Sequence, residues 1–349
     1  MEVPPTHSLL PGTPMYALPL LVAAVAPGAD VAPAPRPAEA SHVEIRAAAG
    51  KALAFLEASS AAWRADKKCV TCHQVPFTIW ALNEARGRGF AVDVKKLDDL
   101  TAWAFDFCAT NEHEGKKTGG FHLTSVFLVL SQRGAPRADA LKVYPFFETL
   151  FAKRQLVNGS WREGNQVKLP DATREADEVD TMWTLLALRE LEQHDATLPL
   201  DTLRGLAAEH EKAQAFLKGA KAGRRIDWLA LRALLDHDRG PVPRPAAALA
   251  ELRALQNADG GWGYVRGSES SPHTTGECLY VLTAAGATPD DPAVRRAVMY
   301  LLRTQRADGA WECRSRQAFA TRPDKMNEVT SHWGSGWATI GLLRTLPRG

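Results

Sequence analysis

The sequence predicts an all-α protein, an (α/α)6 toroid of helical hairpins. Three observations carry that prediction. A seven-residue pattern (Gln, three residues, Gly, one residue, Trp) recurs three times. Each copy follows an amphipathic run and precedes a segment that is apolar nearly all round. There is no sustained period-two alternation and no βαβ rhythm, so the strands are voted out.

The three copies are Gln155-Leu-Val-Asn-Gly159-Ser-Trp161, Gln256-Asn-Ala-Asp-Gly260-Gly-Trp262 and Gln305-Arg-Ala-Asp-Gly309-Ala-Trp311. An apolar residue stands four positions before each Gln: Phe151, Leu252 and Leu301. Val294, Val298, Leu301 and Leu302 recur at helical spacing ahead of Gln305. Each Gln therefore closes an amphipathic helix, and the Asn-Gly or Asp-Gly pair supplies the turn. The segments that follow, Val179–Leu191, Cys278–Ala285 and Trp337–Leu346, lack a polar face, so they are enclosed on both sides. Weaker copies end at Trp63, Phe121 and Trp228, which makes six markers. Six hairpins of about 45 residues form two concentric rings around a central cavity.

Composition narrows the function. The chain has 349 residues, 45% of them apolar and 23% charged, which suits a folded globular protein. Net charge is +2 with both signs spread along the chain, which excludes the basic face of a nucleic-acid binder. No apolar run is long enough for a transmembrane helix, and peripheral membrane contact stays open. Five cysteines are too few for a disulfide scaffold.

Residues 1–40 read as a leader, a signal peptide followed by a Pro/Ala-rich linker, and residues 41–349 as the toroid domain. Tyr16–Ala26 has the length of a signal-peptide apolar region, and Ala38-Glu39-Ala40 fits a cleavage site. This predicts an exported, periplasmic protein. No Lys or Arg precedes Arg36, so a disordered leader on a cytoplasmic protein is the alternative.

The Gln-x-x-x-Gly-x-Trp segments resemble the QW repeats of squalene–hopene and oxidosqualene cyclases, whose α/α toroid is shared by the β subunits of protein prenyltransferases. The resemblance covers roughly residues 45–346. It implies that the Gln and Trp are structural and tie neighbouring repeats together. It also implies a polyprenoid or triterpenoid ligand in the central cavity. In the bacterial cyclases Asp-x-Asp-Asp-Thr supplies the acid from its middle Asp. The matching stretch here is Asp177-Glu178-Val179-Asp180-Thr181, which makes Asp177 and Asp180 the candidate catalytic residues. Val179 stands where the acid belongs, and Val donates no proton, so binding is expected with or without catalysis. The bland reading of Asp177 and Asp180 is a helix N-terminus, where carboxylates complement the dipole. A prenyltransferase would hold zinc with Asp, Cys and His. Cys278 fits that pattern, but Gly276 replaces the Asp and His332 is misplaced, so zinc is not expected there. Cys278 then reads as a small buried apolar residue.

Cys69-Val-Thr-Cys72-His73 has the spacing of covalent haem c attachment. There the two thiols add to the haem and His73 ligates the iron. The competing readings are a Cys69–Cys72 disulfide, a metal site with Cys108 and a distant His, or an inert loop. Cys108 and Cys313 have no partner evident in the sequence; in an exported protein they would pair with each other or with Cys278, leaving one thiol over. The functions expected are therefore a cyclase-like isoprenoid-binding toroid, an exported haem c protein on a toroid scaffold, or a non-catalytic protein-binding toroid.

Overall fold

The computed structural model describes residues 40–71, 73–110, 112–113, 116–117, 122–133, 138–162, 173–193, 200–237, 246–314 and 323–349. The leader up to residue 39, Phe121 and Cys72 lie outside the described residues. The compact unit is Glu39–Gly349.

Helices dominate. They are α1 (His42–Lys67), α2 (Val75–Arg86), α3 (Val94–Thr110), α4 (His122–Ser131), α5 (Ala138–Leu141), α6 (Tyr144–Arg154) and α7 (Thr173–Gln193). Then follow α8 (Leu200–Leu217), α9 (Ile226–His237), α10 (Ala246–Ala254), α11 (Pro272–Ala284), α12 (Pro292–Thr304) and α13 (Pro323–Arg344). A two-residue antiparallel ladder, β1 (Glu112–His113) with β2 (Lys116–Lys117), interrupts them. The sequence did not anticipate it, since two residues are too few to show a period.

Helix starts follow from capping chemistry. Ser41 caps α1 in a box with Glu44: the Glu44 N–H donates to Ser41 Oγ at 3.2 Å, and the Ser41 N–H donates to Glu44 Oε2 at 2.8 Å. Asp291 caps α12 by accepting from the Ala293 N–H at 2.8 Å. Pro76, Pro145, Pro272 and Pro292 stand in first turns, where a missing N–H costs nothing.

Six helices form the inner ring. Each packs on the next in the order α2, α4, α7, α9, α11, α13, and α13 returns to α2. Helices α1, α3, α6, α8, α10 and α12 lie outside them. The middles of the inner helices are buried nearly all round; Pro272 to Leu282 of α11 is one unbroken buried run. The all-α double ring is thus observed, in the alternation that the repeats imply.

The three Gln-to-Trp corners share one wiring. Trp161, Trp262 and Trp311 are wholly buried. Their indole N–H groups donate to the carbonyls of Phe151, Leu252 and Leu301 at 2.8, 2.7 and 2.8 Å. Their backbone N–H groups donate to hydroxyls on the following inner helix: Thr181, Thr275 and Ser335, at 3.1, 3.0 and 2.9 Å. Each Gln side-chain amide donates twice. One bond goes to the corner glycine carbonyl, at 3.1, 2.7 and 3.0 Å. The other reaches the next outer helix, at the carbonyls of Glu209, Ala293 and Ala48, each at 2.9 Å. The corner therefore ties three helices with one side chain each from Gln, Trp and Ser/Thr. Glycine is required twice over: φ is +86°, +92° and +89°, and a Cβ would strike the backbone of Lys212, Arg296 or Lys51.

Two of the weaker markers are not corners. Trp63 lies within α1 and Trp228 in the first turn of α9. The indole N–H of Trp63 donates to the Cys69 carbonyl at 3.1 Å, that of Trp228 to Glu178 Oε2 at 2.7 Å. An aromatic residue alone does not make the turn; the Gly and Gln do.

Candidate functional site

All six inner helices run the same way, so their N-termini share one mouth of the ring. Aromatic side chains from five of them meet on the axis. Phe77 of α2 lies 5.0 Å from Phe127 of α4 and 5.1 Å from Trp337 of α13, between ring centroids. Trp183 of α7 lies 5.3 Å from Phe127 and 5.6 Å from Trp337. Trp80 of α2 lies 5.3 Å from Tyr280 of α11. These six side chains are at most 5% exposed. The expected hollow is thus filled at mid-height. Large rings in offset and edge contact close it, which a sequence that marks each helix separately does not reveal.

Above this floor, toward the N-terminal mouth, stand Trp333 and His273, with centroids 4.9 Å apart, and Tyr264, 5.4 Å from His273. Trp333 is partly exposed, and its indole N–H is buried without an acceptor among the described residues. A cavity of about 620 Å³ opens beside Tyr264, walled also by Pro272, Tyr300 and Cys313.

The two predicted carboxylates part company. Asp177 is 4% exposed and gripped by Arg162, whose Nε lies 2.8 Å from Oδ1 and 3.0 Å from Oδ2. Its carbonyl accepts from Thr181 Oγ1 at 2.6 Å, the same hydroxyl that receives the Trp161 N–H. Asp177 is therefore wired into a corner. Val179 is buried in the core. Glu178 pairs with Arg174 at 2.9 Å and takes the Trp228 indole N–H, so it faces α9.

Asp180 belongs to a different group. Arg225, ahead of α9, is 8% exposed and forms a two-pronged pair with Asp227, with Nε 2.8 Å from Oδ1. Burial works against the charge of Arg225, but Asp227, Asp180 and Glu277 together outweigh it, and the guanidinium is held above its ordinary value. Three carboxylates from α7, α9 and α11 thus gather about one cation. Sequence reasoning missed Asp227, Glu277 and Arg225. Their signal was a charge inside otherwise buried helices, at Ile226-Asp227-Trp228 and Gly276-Glu277-Cys278.

Around the Cys-x-x-Cys-His element, Cys69 is half-buried and free. His73 is 7% exposed, packs edge-on against Trp63 at 5.7 Å, and has Nε2 3.3 Å from Thr71 Oγ1. Burial lowers its pKa to about 4. His332 of α13 lies beside the same loop. Its Nδ1 is 2.9 Å from Ser59 Oγ and its Nε2 is 3.3 Å from the Gln74 carbonyl. Burial lowers its pKa to about 3, against the Gln74 carbonyl, which raises it. Cys108, Cys278 and Cys313 are buried and free, and burial pushes the Cys108 and Cys313 thiols up to about 12. Gly276 backs onto the main chain of Trp337 and Ala338, so the position two before Cys278 has no room for a side chain.

Residues 226–320 match the family model of the squalene-hopene cyclase C-terminal domain. That stretch holds α9 to α12 and two complete corners. A type II terpene cyclase from Scytonema, solved with geranylgeranyl dihydroxybenzoate, superposes with a TM-score of 0.51 at 13% identity. The superposition covers 87% of this chain and 98% of that one.

The fold is the α/α toroid, shared with that terpene cyclase.

A glycosidase has the same toroid, with a TM-score of 0.54 at 12% identity over 88% of this chain and all of that one. The cyclase-like toroid also matches curated relatives over short segments. It is 40% identical over 67 residues to drimenyl diphosphate synthase of Streptantibioticus cattleyicolor, covering 19% of this chain and 12% of that protein. It is 37% identical over 99 residues to squalene–hopene cyclase of Bradyrhizobium diazoefficiens, covering 24% and 14%. The matched segments thus span under a sixth of either relative's length. The family-model match stops short of α7, which carries Asp177, Val179 and Asp180.

Proposed function

We propose that this toroid binds a polyprenoid or triterpenoid hydrocarbon at the N-terminal mouth of its inner ring. The observation that carries the reading is the aromatic floor of Phe77, Phe127, Trp183 and Trp337, capped by Trp333. Closed below by that floor, the mouth offers the rings of Trp333, His273 and Tyr264 to an alkene chain. Catalysis is the weaker part. Val179 stands where the acid belongs and is buried in the core, so the helix suits binding better than proton donation.

Tryptophan emission tests the binding. Titration with squalene or a prenyl diphosphate should shift it saturably, and Trp333→Ala should weaken that response. No response to either ligand rejects the reading and leaves a protein-binding toroid, to be sought by pull-down. Gas chromatography and mass spectrometry of the same incubations test catalysis. Any product should vanish in Asp180→Asn; undiminished turnover removes Asp180 as the acid.

A second reading rests on His73, whose neutral imidazole is the form that binds iron. Cys69, Cys72 and His73 would hold a haem c in an exported protein. Its Nε2 faces Thr71, so the haem would have to displace that contact. Protein made with cytochrome maturation machinery should show a Soret band that survives acid–acetone extraction. A colourless product under those conditions ends this reading.

A further inference from the structure

The opposite mouth, at the C-terminal ends of the inner helices, holds a cavity of about 530 Å³. Its floor includes Trp80 and Tyr280, the underside of the aromatic cluster. Its rim is built of guanidiniums. Arg86 ends α2, Arg88 follows it, Arg133 follows α4, Arg344 closes α13, and Arg348 comes from the tail.

Among the described residues that line this cavity, Glu84 is the only carboxylate side chain. It is divided between Arg88 at 2.5 Å and Arg344 at 3.1 Å. Arg344 is also fixed over the Tyr280 ring, 4.9 Å from its centroid. Arg133 has Nε 4.0 Å from the buried Glu190 carboxylate and donates from Nη1 to the Tyr280 hydroxyl at 3.4 Å. Helix C-termini carry partial negative charge, and that explains why cations collect here. It does not explain the surplus. Arg86 and Arg348 are exposed and have no partner among the described residues. Arg88 is 6% exposed, and its Nε–H is buried without an acceptor among the described residues. Arg344 and Arg348 add repulsion to the burial that already disfavours the Arg88 charge.

A single carboxylate guest would leave most of this charge unmet. A phosphate carries close to two negative charges near neutral pH and accepts from several guanidiniums at once. We infer that the C-terminal mouth of the toroid is a binding site for a phosphate-bearing ligand, with Arg344 and Arg348 as donors and Arg86 and Arg133 on its rim. The site is separate from the proposed hydrocarbon site, because the filled axis lies between them. The phosphate could be free, part of a small soluble molecule, or a lipid headgroup.

The full chain is titrated with inorganic phosphate and with pyrophosphate by calorimetry. In parallel it is sedimented with phosphatidylcholine vesicles with and without phosphatidic acid. Saturable pyrophosphate binding is expected, and Arg86→Gln together with Arg348→Gln should weaken it by about tenfold or more. Both arginines are exposed, so helicity and melting should not change in that variant. Arg133→Gln provides a second, independent loss of affinity. Pyrophosphate binding that is tighter than phosphate binding, without vesicle sedimentation, assigns a soluble ligand. Sedimentation that depends on phosphatidic acid and is lost in the double variant assigns a headgroup. No saturable binding in either arm, or binding that the variants leave unchanged, overturns the inference.

Discussion

The side-chain amide of Gln305 donates to the carbonyl of Ala48 at 2.9 Å, across 257 positions of sequence. Gln155 and Gln256 make the same bond to the next outer helix along the chain. Gln305, which follows α12, reaches α1, the first outer helix. The bond that spaces one repeat from the next is also the bond that closes the ring.

Replacing Gln305 with Leu should therefore loosen the seam between the chain's two ends. Two carbonyls lose their donor, and a cost of about 1–3 kcal/mol is expected in urea denaturation. Hydrogen exchange should rise in α1 and α13 more than in α7. Exchange that rises uniformly would show that the seam is not a local weak point.

Gly309 and Gly286 share a φ near +90°, but their surroundings differ. A Cβ on Gly286 meets open space, while one on Gly309 strikes the Lys51 backbone. Gly286→Ala should cost about 1 kcal/mol, the strain of the conformation alone. Gly309→Ala should cost at least about 2 kcal/mol more, because α1 must move away. Equal losses on denaturation would mean that this contact yields without penalty.

Arg225→Met should destabilise by roughly 3–5 kcal/mol, since it strips the cation from buried Asp227 and from the neighbouring Asp180 and Glu277. Adding Asp227→Leu should recover part of that loss, as pairing a buried charge matters more than having one. A double variant less stable than the single one would contradict this account.

His73 and His332 set an acid limit. Burial holds both far below the ~6.5 of a free imidazole, at about 4 and about 3. Between those values and ~6.5 the unfolded chain binds more protons than the folded one, so stability rises with pH. The contribution is fully present above pH ~6.5 and is lost as pH falls through the window. At the acid limit His73 accounts for on the order of 3 kcal/mol and His332 for on the order of 5 kcal/mol. Urea midpoints measured from pH 7 down to pH 5 should fall more steeply in the wild type than in a His73→Asn, His332→Asn variant. Parallel slopes would remove the two imidazoles as the cause.

The corners were the legible part of the fold because their chemistry is local. Gln305, Gly309 and Trp311 lie within seven residues, and turn geometry, glycine freedom and burial all act at that range. The candidate site was only half legible. Asp177 and Asp180 stand three apart on one helix, yet one is captured by Arg162 and the other lies near Arg225. Nothing in their spacing separates them. Glu277 and Asp227 were overlooked because a lone charge in an apolar helix acquires meaning only from what faces it.

The amino-acid sequence by itself determined the helical hairpins, their alternation of exposed and enclosed members, and the corners that join them, since propensity, period and turn chemistry are properties of short segments. Tertiary structure alone decided that Trp80, Trp183 and Trp337 fill the axis, and that five arginines crowd the far mouth. Side chains tens to hundreds of residues apart share those places only once the ring has closed, and packing and electrostatics depend on distance in space.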